Sequence, residues 1–225
     1  MYDTNTSVQS PDMAGGVVLL ADGDFPSTPY TLDILHGARY LCCTDGAGKA
    51  LIDRLGIMPD AIVGDGDSLP QEFKDKYHDI IHIVDEQEYN DLTKCVRHIV
   101  STLSPLSTPI YFLGCTGKRE DHTIGNISLM AYYRREMGIR AVMVTDYGTF
   151  VPASGEETFC SFARQQISIF NLSSTRLTSD GLRWDAYPYQ MWWQGTLNES
   201  LADKFTIHAD GEYIIYRTHE AKVMR

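Results

Sequence analysis

The sequence is short of positive charge. Its 19 lysine and arginine residues are outnumbered by 30 aspartate and glutamate residues, which gives a formal net charge of -11 over 225 residues. A nucleic-acid partner is not expected, because neutralising a phosphate backbone requires a surface rich in lysine and arginine. A nucleotide substrate remains compatible with this charge, since a divalent cation can bridge carboxylates to phosphates.

Cysteines and long hydrophobic runs are also scarce. The five cysteines include the adjacent Cys42 and Cys43 and show no CxxC spacing, which argues against a disulfide framework or a zinc site and favours reduced thiols. No apolar run approaches the ~20 residues of a membrane span. The stretch MYDTNTSVQSPDMAGG lacks the features of a signal peptide. We therefore expect a cytoplasmic protein without a membrane partner.

Short apolar runs alternate with longer amphipathic segments over residues 15–145. The runs predict strands at Val17–Leu20, Tyr40–Cys43, Ala61–Val63, Ile80–Val84, Ile110–Leu113 and Ala141–Val144. The segments between them predict helices near 29–37, 47–55, 70–77, 90–103 and 122–137. This alternation predicts an α/β domain, a mostly parallel sheet with helices on both faces. Residues 1–14 are polar and are expected to be flexible.

The pattern changes near residue 145. Over residues 146–225, turn residues and β-prone runs such as ISIFNL, YQMWWQGTL and EYIIYR replace the helical periodicity. They predict a C-terminal all-β domain, a sandwich or jelly roll. If YQMWWQGTL is a regular strand, Trp192 and Trp193 face opposite sides of it.

Acidic residues follow the ends of several predicted strands. The motifs are CCTDGAGKAL with Asp45, IVGDGDSL with Asp65 and Asp67, DEQEYNDLTKC with Asp91, and GCTGKREDHTIGN with Asp121. Ligands of open α/β sheets bind outside the carboxyl ends of the strands. Carboxylates that converge there repel one another unless a cation lies between them, and an all-oxygen site suits Mg²⁺.

Each acidic motif also has a simpler interpretation. The Asp-Gly-Asp sequence can be a solvated turn. Asp45 and Asp121 can each be a helix N-cap, and Asp91 can favour the first turn of its helix through the helix dipole. Only their shared position after strand ends makes the set point to a metal site.

A basic loop opens the last helix of the α/β region. Lys118 and Arg119 lie beside Gly114 and Gly117, where backbone N–H groups and a guanidinium can hold a phosphate. Solvated surface charge is the alternative. Neither this loop nor GAGKAL, which follows Asp45, has the spacing of a Walker A motif.

Taken in order, these stretches resemble the thiamine pyrophosphokinase family. TDGAGKAL is similar to its ADGGAN-type motif, GDGDS to GDxDS, NDLTKCVRH to TDxxKAL, and GCTGKREDHTIGNI to GxxGxRxDHxxxNI. QQISIFNL and DGLRW resemble its VSLxP strand and GLKW turn, and GTLNES resembles its TSNE segment. The match runs across nearly the whole chain.

The resemblance implies a function and a domain organisation. It implies Mg²⁺-dependent transfer of pyrophosphate from ATP to the primary hydroxyl of thiamine, which gives thiamine diphosphate and AMP. Residues 15–145 would form the catalytic domain that binds nucleotide and metal. Residues 146–225 would bind thiamine and form a homodimer with its sites at the subunit interface.

The resemblance also implies roles for individual residues. Catalytic roles fall to Asp91, Arg119 and Asp121, and metal ligation to Asp45, Asp65, Asp67 and Asp91. The nucleotide-binding set is Asp45, Gly46, Asp65, Asp67, Gly117 and Lys118. Thiamine contacts are expected from Trp184, Thr196 and Asn198, where an aromatic ring against the thiazolium cation is worth ~0.5–2 kcal/mol.

The sequence departs from the family pattern at three positions and leaves two other functions open. Gly66 stands where a bulky apolar residue is usual, Asn90 replaces a threonine, and Leu197 interrupts the TSN pattern. A DxD-type nucleotide-sugar transferase would use Asp65 and Asp67 with a metal. A non-catalytic thiamine- or nucleotide-binding module would keep the same fold.

Overall fold

The computed structural model describes residues 15–222, which divide into two compact units. The first unit contains residues 15–128 and 143–145, and the second contains residues 129–142 and 146–222. The segment predicted to be flexible, 1–14, lies outside the described residues. Residues 129–142, which the sequence analysis assigned to the first domain, group with the second unit.

The first unit alternates strands and helices as predicted. Its elements are β1 (Val17–Leu20), α1 (Pro29–His36), β2 (Tyr40–Thr44), α2 (Asp45–Leu55), β3 (Ala61–Gly64), α3 (Gln71–Lys76), β4 (Ile81–Ile83), α4 (Asp91–Thr102) and β5 (Ile110–Leu113). Two further elements, α5 (Glu120–Met137) and β6 (Ala141–Val144), contribute residues to both units.

Strand order in the first unit creates a crevice at one edge of the sheet. The strands lie in the order β5-β1-β2-β3-β4, and every adjacent pair is parallel. The rule that crossovers are right-handed predicts α1, α2 and α3 on one face and α4 on the other, because the chain returns past β1 to reach β5. The strand order therefore reverses between β1 and β5, the point at which open α/β sheets bind ligands.

Local sequence signals set the helix starts. The Thr28 side chain accepts a hydrogen bond from the Thr31 backbone N–H at 3.4 Å, with Pro29 as the first residue of α1. The Asn90 side chain caps α4 by accepting from the Thr93 N–H at 3.0 Å. The departure at Asn90 thus exchanges one capping residue for another.

The second unit is a β-sandwich, which confirms the predicted all-β region. Its strands are β7 (Gly148–Ser154), β8 (Glu157–Cys160), β9 (Gln165–Asn171), β10 (Leu177–Asp180), β11 (Asn198–Glu199), β12 (Lys204–Ala209) and β13 (Glu212–Ala221). They form the antiparallel arrays β11-β9-β13-β7 and β10-β12-β8. Alternate side chains of both arrays, among them Ile167, Ile169, Phe205 and Ile207, form one buried core.

The aromatic run YQMWWQGTL is not the strand that its composition predicts. It contains a 3₁₀ helix, Trp192–Gly195. The Gln194 carboxamide oxygen accepts from the backbone N–H groups of Gln190 and Met191 at 2.9 and 2.8 Å, which offers the chain a local alternative to a strand ladder. A Cβ at Gly195 would lie only 2.0 Å from the Ile169 carbonyl oxygen, so the helix approaches β9 through a glycine.

The predicted alternation of Trp192 and Trp193 across a strand is therefore wrong. Trp193 is 71% exposed and Trp192 is 40% exposed, with the Trp192 ring edge-on to Phe170 at 5.6 Å. Both residues lie on a helical turn, where neighbouring side chains do not alternate between two faces.

The five cysteines all lie within the described residues and form no disulfide bond, as their spacing in the sequence predicts. All five cysteines are free thiols; Cys42, Cys43, Cys95 and Cys115 are buried, and Cys160 is half-buried. In the part of the chain from residue 15 to residue 222, no helix combines the length and the apolar character needed to cross a bilayer.

Candidate active site

A cavity of about 340 Å³ opens in the first unit at the carboxyl ends of β1, β2 and β5. Its wall includes residues 21–23 after β1, 44–46 where β2 meets α2, 90–92 at the start of α4, part of the loop after β5, Ser68, and two residues of α5. The segments after β1 and β5 flank the reversal of strand order, so the cavity lies where the topology places a ligand site.

Asp45 is the buried carboxylate of this cavity. It is the first residue of α2 and is only 2% exposed. Its Oδ2 accepts a hydrogen bond from the Gly66 N–H at 2.6 Å, while its buried Oδ1 has no hydrogen-bond partner among the described residues. A Cβ at Gly64 would lie 2.4 Å from that Oδ1, so the carboxylate fits only because β3 ends in glycine. The N-cap of α2 is Thr44, so the interpretation of Asp45 as a helix cap is wrong.

Burial and neighbouring charges shift the pKa of Asp45. Burial raises its pKa above the ordinary value, the hydrogen bond from Gly66 opposes that shift, and the charges of Asp91 and Asp65 raise the pKa further. Lys74 on α3, which the sequence analysis did not single out, lowers it. The carboxylates of Asp91 and Asp65 are therefore close enough to act on that of Asp45.

Asp91 brings a second carboxylate to the cavity wall. It opens α4, and its Oδ1 lies 3.1 Å from the Lys94 ammonium. The Asp91 side chain is 41% exposed, whereas that of Lys94 is 3% exposed. The carboxylate is thus open to the cavity on one side and held by a buried cation on the other.

Basic residues also line the cavity. Lys118 has a left-handed backbone, with φ of 55°, and its Nζ lies 2.8 Å from Asp22 Oδ1. The Arg119 guanidinium makes two hydrogen bonds to Asp121, from Nε at 3.1 Å and from Nη2 at 2.6 Å. Pairing with Arg119 lowers the pKa of Asp121 below its ordinary value.

Asp22 is a site residue that the sequence analysis missed. It lines the cavity directly after β1, and the rule that found the other acids, a carboxylate just past a strand, would have found it in LLADGD. Its loop is joined to the loop after β5 by a hydrogen bond from the Gly23 N–H to the Gly114 carbonyl at 2.6 Å. A Cβ at Gly23 would lie 2.4 Å from that oxygen, so glycine permits the close approach.

The structure brings most, but not all, of the predicted residues to the cavity. Its lining includes Asp45, Gly46, Asp91, Gly117, Lys118 and Arg119. Within residues 15–222 the lining does not include Asp65, Asp67 or Asp121. The Asp65 carboxylate accepts a hydrogen bond from the Asp67 N–H at 3.1 Å. This is the local turn that the simpler interpretation of the Asp-Gly-Asp sequence predicts.

The donor set fits a magnesium ion that is shared with a substrate. Among the described residues, no three histidine, cysteine, aspartate or glutamate side chains are arranged to hold a metal ion alone. Mg²⁺ is usually bound by one or two carboxylates, with water and substrate phosphates as the remaining ligands. Asp45, with its unpartnered oxygen, and Asp91 supply that number of carboxylates.

The residues predicted to contact thiamine belong to the second unit. Trp184 is 51% exposed. Asn198 is 5% exposed and holds the Trp184 backbone, since its Oδ1 accepts from the Trp184 N–H at 3.2 Å and its Nδ2 donates to the Trp184 carbonyl at 2.8 Å. The Thr196 hydroxyl donates to the Trp193 carbonyl at 2.7 Å. In this arrangement Asn198 positions the tryptophan.

Replacing Asp45 with asparagine should stabilise the fold near neutral pH. Because the folded-state pKa of Asp45 is raised, ionisation disfavours the native state, and this cost is absent at low pH and develops as pH rises through the folded-state pKa. The difference in urea midpoint between Asp45→Asn and the wild type should therefore be larger at pH 7.5 than at pH 4. A variant that is less stable at pH 7.5, or a difference that does not change with pH, would contradict the assignment.

Comparison with known proteins agrees with this geometry. Two family models match the chain, the thiamin pyrophosphokinase catalytic domain over residues 31–143 and the thiamin pyrophosphokinase substrate-binding domain over residues 148–216. Thiamine pyrophosphokinase 1 of Arabidopsis thaliana is 25% identical over 213 residues, which cover 79% of this chain and 77% of that protein. Thiamine pyrophosphokinase 1 of Oryza sativa subsp. japonica is 34% identical over 132 residues, 48% of each chain.

A solved structure supports the same relationship at the level of the fold. Thiamin pyrophosphokinase from Candida albicans superposes with a TM-score of 0.75 at 16% sequence identity, over 97% of each chain. Since the two family models together match both the α/β region and the sandwich, the resemblance seen in the motifs extends to the whole domain organisation. This chain belongs to the thiamin pyrophosphokinase family.

Proposed function

We propose that the protein transfers pyrophosphate from ATP to the primary hydroxyl of thiamine in a Mg²⁺-dependent reaction that gives thiamine diphosphate and AMP. The first unit would bind the nucleotide and the metal, and the second would bind thiamine. The observation that carries the proposal is the cavity at the strand-order reversal, where buried Asp45 and half-exposed Asp91 face the basic side chains Lys118 and Arg119.

The charges of the site explain the need for a cation. ATP brings about four negative charges, which a cavity lined by carboxylates would repel. A bound Mg²⁺ ion would offset this repulsion and stabilise charge on the phosphate oxygens as AMP departs. Asp45 and Asp91 are the residues that would hold it, since they line the cavity and Asp45 has a buried oxygen without a partner in the described chain.

The basic side chains of the cavity would orient the triphosphate of ATP. Lys118 and Arg119 lie at the start of α5, where backbone N–H groups and the helix dipole also favour an anion. Their ammonium and guanidinium groups are bound to Asp22 and Asp121 and would exchange these carboxylates for phosphate oxygens. The exchange would place the β-phosphorus for in-line attack by the thiamine hydroxyl.

Asp91 is better placed than Asp121 to act on the thiamine hydroxyl. The Asp91 carboxylate lines the cavity, whereas that of Asp121 does not and is ion-paired with Arg119. Asp91 would orient the thiamine hydroxyl for attack, and the hydroxyl proton would leave to solvent. Positioning of the two substrates supplies the remainder of the rate enhancement.

The direct test is incubation of the protein with ATP, Mg²⁺ and thiamine. AMP and thiamine diphosphate should form in equal amounts, and Asp91→Asn should lower kcat by ~10²-fold or more because a carboxylate that holds the metal and orients the hydroxyl is lost. Asp79→Asn, the same change at an exposed position outside the cavity lining, should leave turnover unchanged. Thiamine binding without AMP formation would instead support a non-catalytic binding module.

Trp184 would form an aromatic wall of the thiamine site. A cation–π contact of ~0.5–2 kcal/mol corresponds to about a two- to thirtyfold change in affinity. Trp184→Ala should therefore raise the KM for thiamine by that factor with kcat and the KM for ATP near their wild-type values, and Trp184→Phe should retain part of the affinity. An unchanged thiamine KM in Trp184→Ala would exclude this contact.

The second unit also supports a homodimer. Large apolar side chains are exposed along one segment of it: Trp184, Tyr187, Met191, Trp192, Trp193, Leu197 and Leu201. Such concentrated exposure is typical of a surface that another protein covers. Light scattering at micromolar concentration should give twice the chain mass, and Trp193→Glu should shift the population toward the monomer. A wild-type protein that remains monomeric would contradict the proposal.

A further inference from the structure

Lys94 is a buried cation that the proposed chemistry does not use. Its side chain is 3% exposed, on a helix that packs against β2 and β3. Lysine is almost never fully buried in proteins unless its charge is paired. Its position three residues after Asp91 therefore requires an explanation beyond helix packing.

The partner of Lys94 is a carboxylate of the cavity. Its Nζ lies 3.1 Å from Asp91 Oδ1, and α4 is fixed at this turn by the Asn90 cap on the Thr93 N–H. A buried ion pair is poor evidence of a stabilising role, because apolar residues of similar volume often stabilise a fold equally well. What an apolar residue cannot supply is a positive charge beneath the acidic cavity.

The other two cationic side chains that line the cavity are much more exposed to solvent than Lys94. The Lys118 side chain is 55% exposed and that of Arg119 is 68% exposed, and each pairs with a carboxylate near the mouth. These groups can move toward a substrate. The Lys94 side chain is buried, so its ammonium group stays beside Asp91 and cannot move toward a substrate.

We propose that Lys94 is a built-in counter-ion of the acidic cavity. Its charge offsets that of Asp91, so that the free protein binds a divalent cation weakly and the substrate's phosphates supply further ligands. This inference rests on the proposed function for the identity of the substrate. It concerns a positioning and charge-balancing residue, since Lys94 acts through Asp91.

The test is a Mn²⁺ titration of the full-length chain without nucleotide, followed by the electron paramagnetic resonance signal of the free ion. Removal of a unit charge about 6 Å from a divalent cation changes affinity by about tenfold at the dielectric constant of water, and salt at ~0.1 M reduces this to about threefold. Lys94→Met should therefore bind Mn²⁺ at least about threefold more tightly than the wild type. Lys94→Arg, which keeps the charge, should bind like the wild type.

A matched control separates a local from a general effect of charge. Lys76→Met removes the same charge from an exposed helix position in the same unit and should leave Mn²⁺ affinity within twofold of wild type, because solvent screens exposed charges. Near-ultraviolet circular dichroism confirms that each variant is folded. If Lys94→Met does not fold, Lys94→Gln replaces it with the same expected result.

The outcomes are distinct from those of the proposed function. Equal or weaker Mn²⁺ binding by folded Lys94→Met overturns the inference, and it does so even if the wild type forms AMP from ATP and thiamine. Absence of Mn²⁺ binding by both proteins overturns it as well. Tighter Mn²⁺ binding by Lys94→Met supports the inference about Lys94. If the wild type also forms no AMP from ATP and thiamine, that result contradicts only the proposed reaction.

Discussion

The hydrogen bond from the Gly66 N–H to the buried carboxylate of Asp45 is the interaction on which the site depends. At 2.6 Å it joins the first residue of α2 to the loop after β3, and so fixes two neighbouring strand ends relative to each other. The carboxylate fits against β3 only because Gly64 has no Cβ. The chain thus keeps an ionisable group where burial raises its pKa, an arrangement that disfavours the charged form until a cation is present.

Topology supplies the other half of the site. Because the strand order reverses between β1 and β5, the loops that follow these strands border the position where open α/β sheets bind ligands. The two loops are in direct contact, at Gly23 and Gly114. Acidic side chains from β1, β2 and α4 then meet basic side chains from the start of α5. In the proposed reaction, a cation and a polyphosphate would together satisfy both sets of charges.

The sequence predicted the framework well because periodicity and capping are local. Buried parallel strands require continuous apolar runs, so the bounds of β1, β5 and β6 are those expected from the sequence. The strand prediction for the segment around Trp192 and Trp193 failed because the Gln194 side chain accepts hydrogen bonds from the backbone N–H groups of Gln190 and Met191, which composition does not reveal. Likewise, strong β-propensity in that segment was overridden by the close packing of Gly195 on β9.

The site was only partly predictable, for a physical reason. Position after a strand end correctly brought Asp45 and Asp91 to one cavity, but it does not say which way a side chain turns. Asp121 turns to Arg119, and Asp65 accepts a backbone hydrogen bond within its own turn. The burial of Lys94 depends on how α4 packs on the sheet, which no short motif encodes.

The most direct measurement is a titration of the Asp45 carboxyl carbon by nuclear magnetic resonance, with and without Mg²⁺. The account predicts a pKa above 3.8 in the metal-free protein and a lower pKa when Mg²⁺ is added, since the cation favours the ionised form. A pKa at or below 3.8 that does not respond to Mg²⁺ would show that this carboxylate neither bears the cost of burial nor takes part in binding a cation.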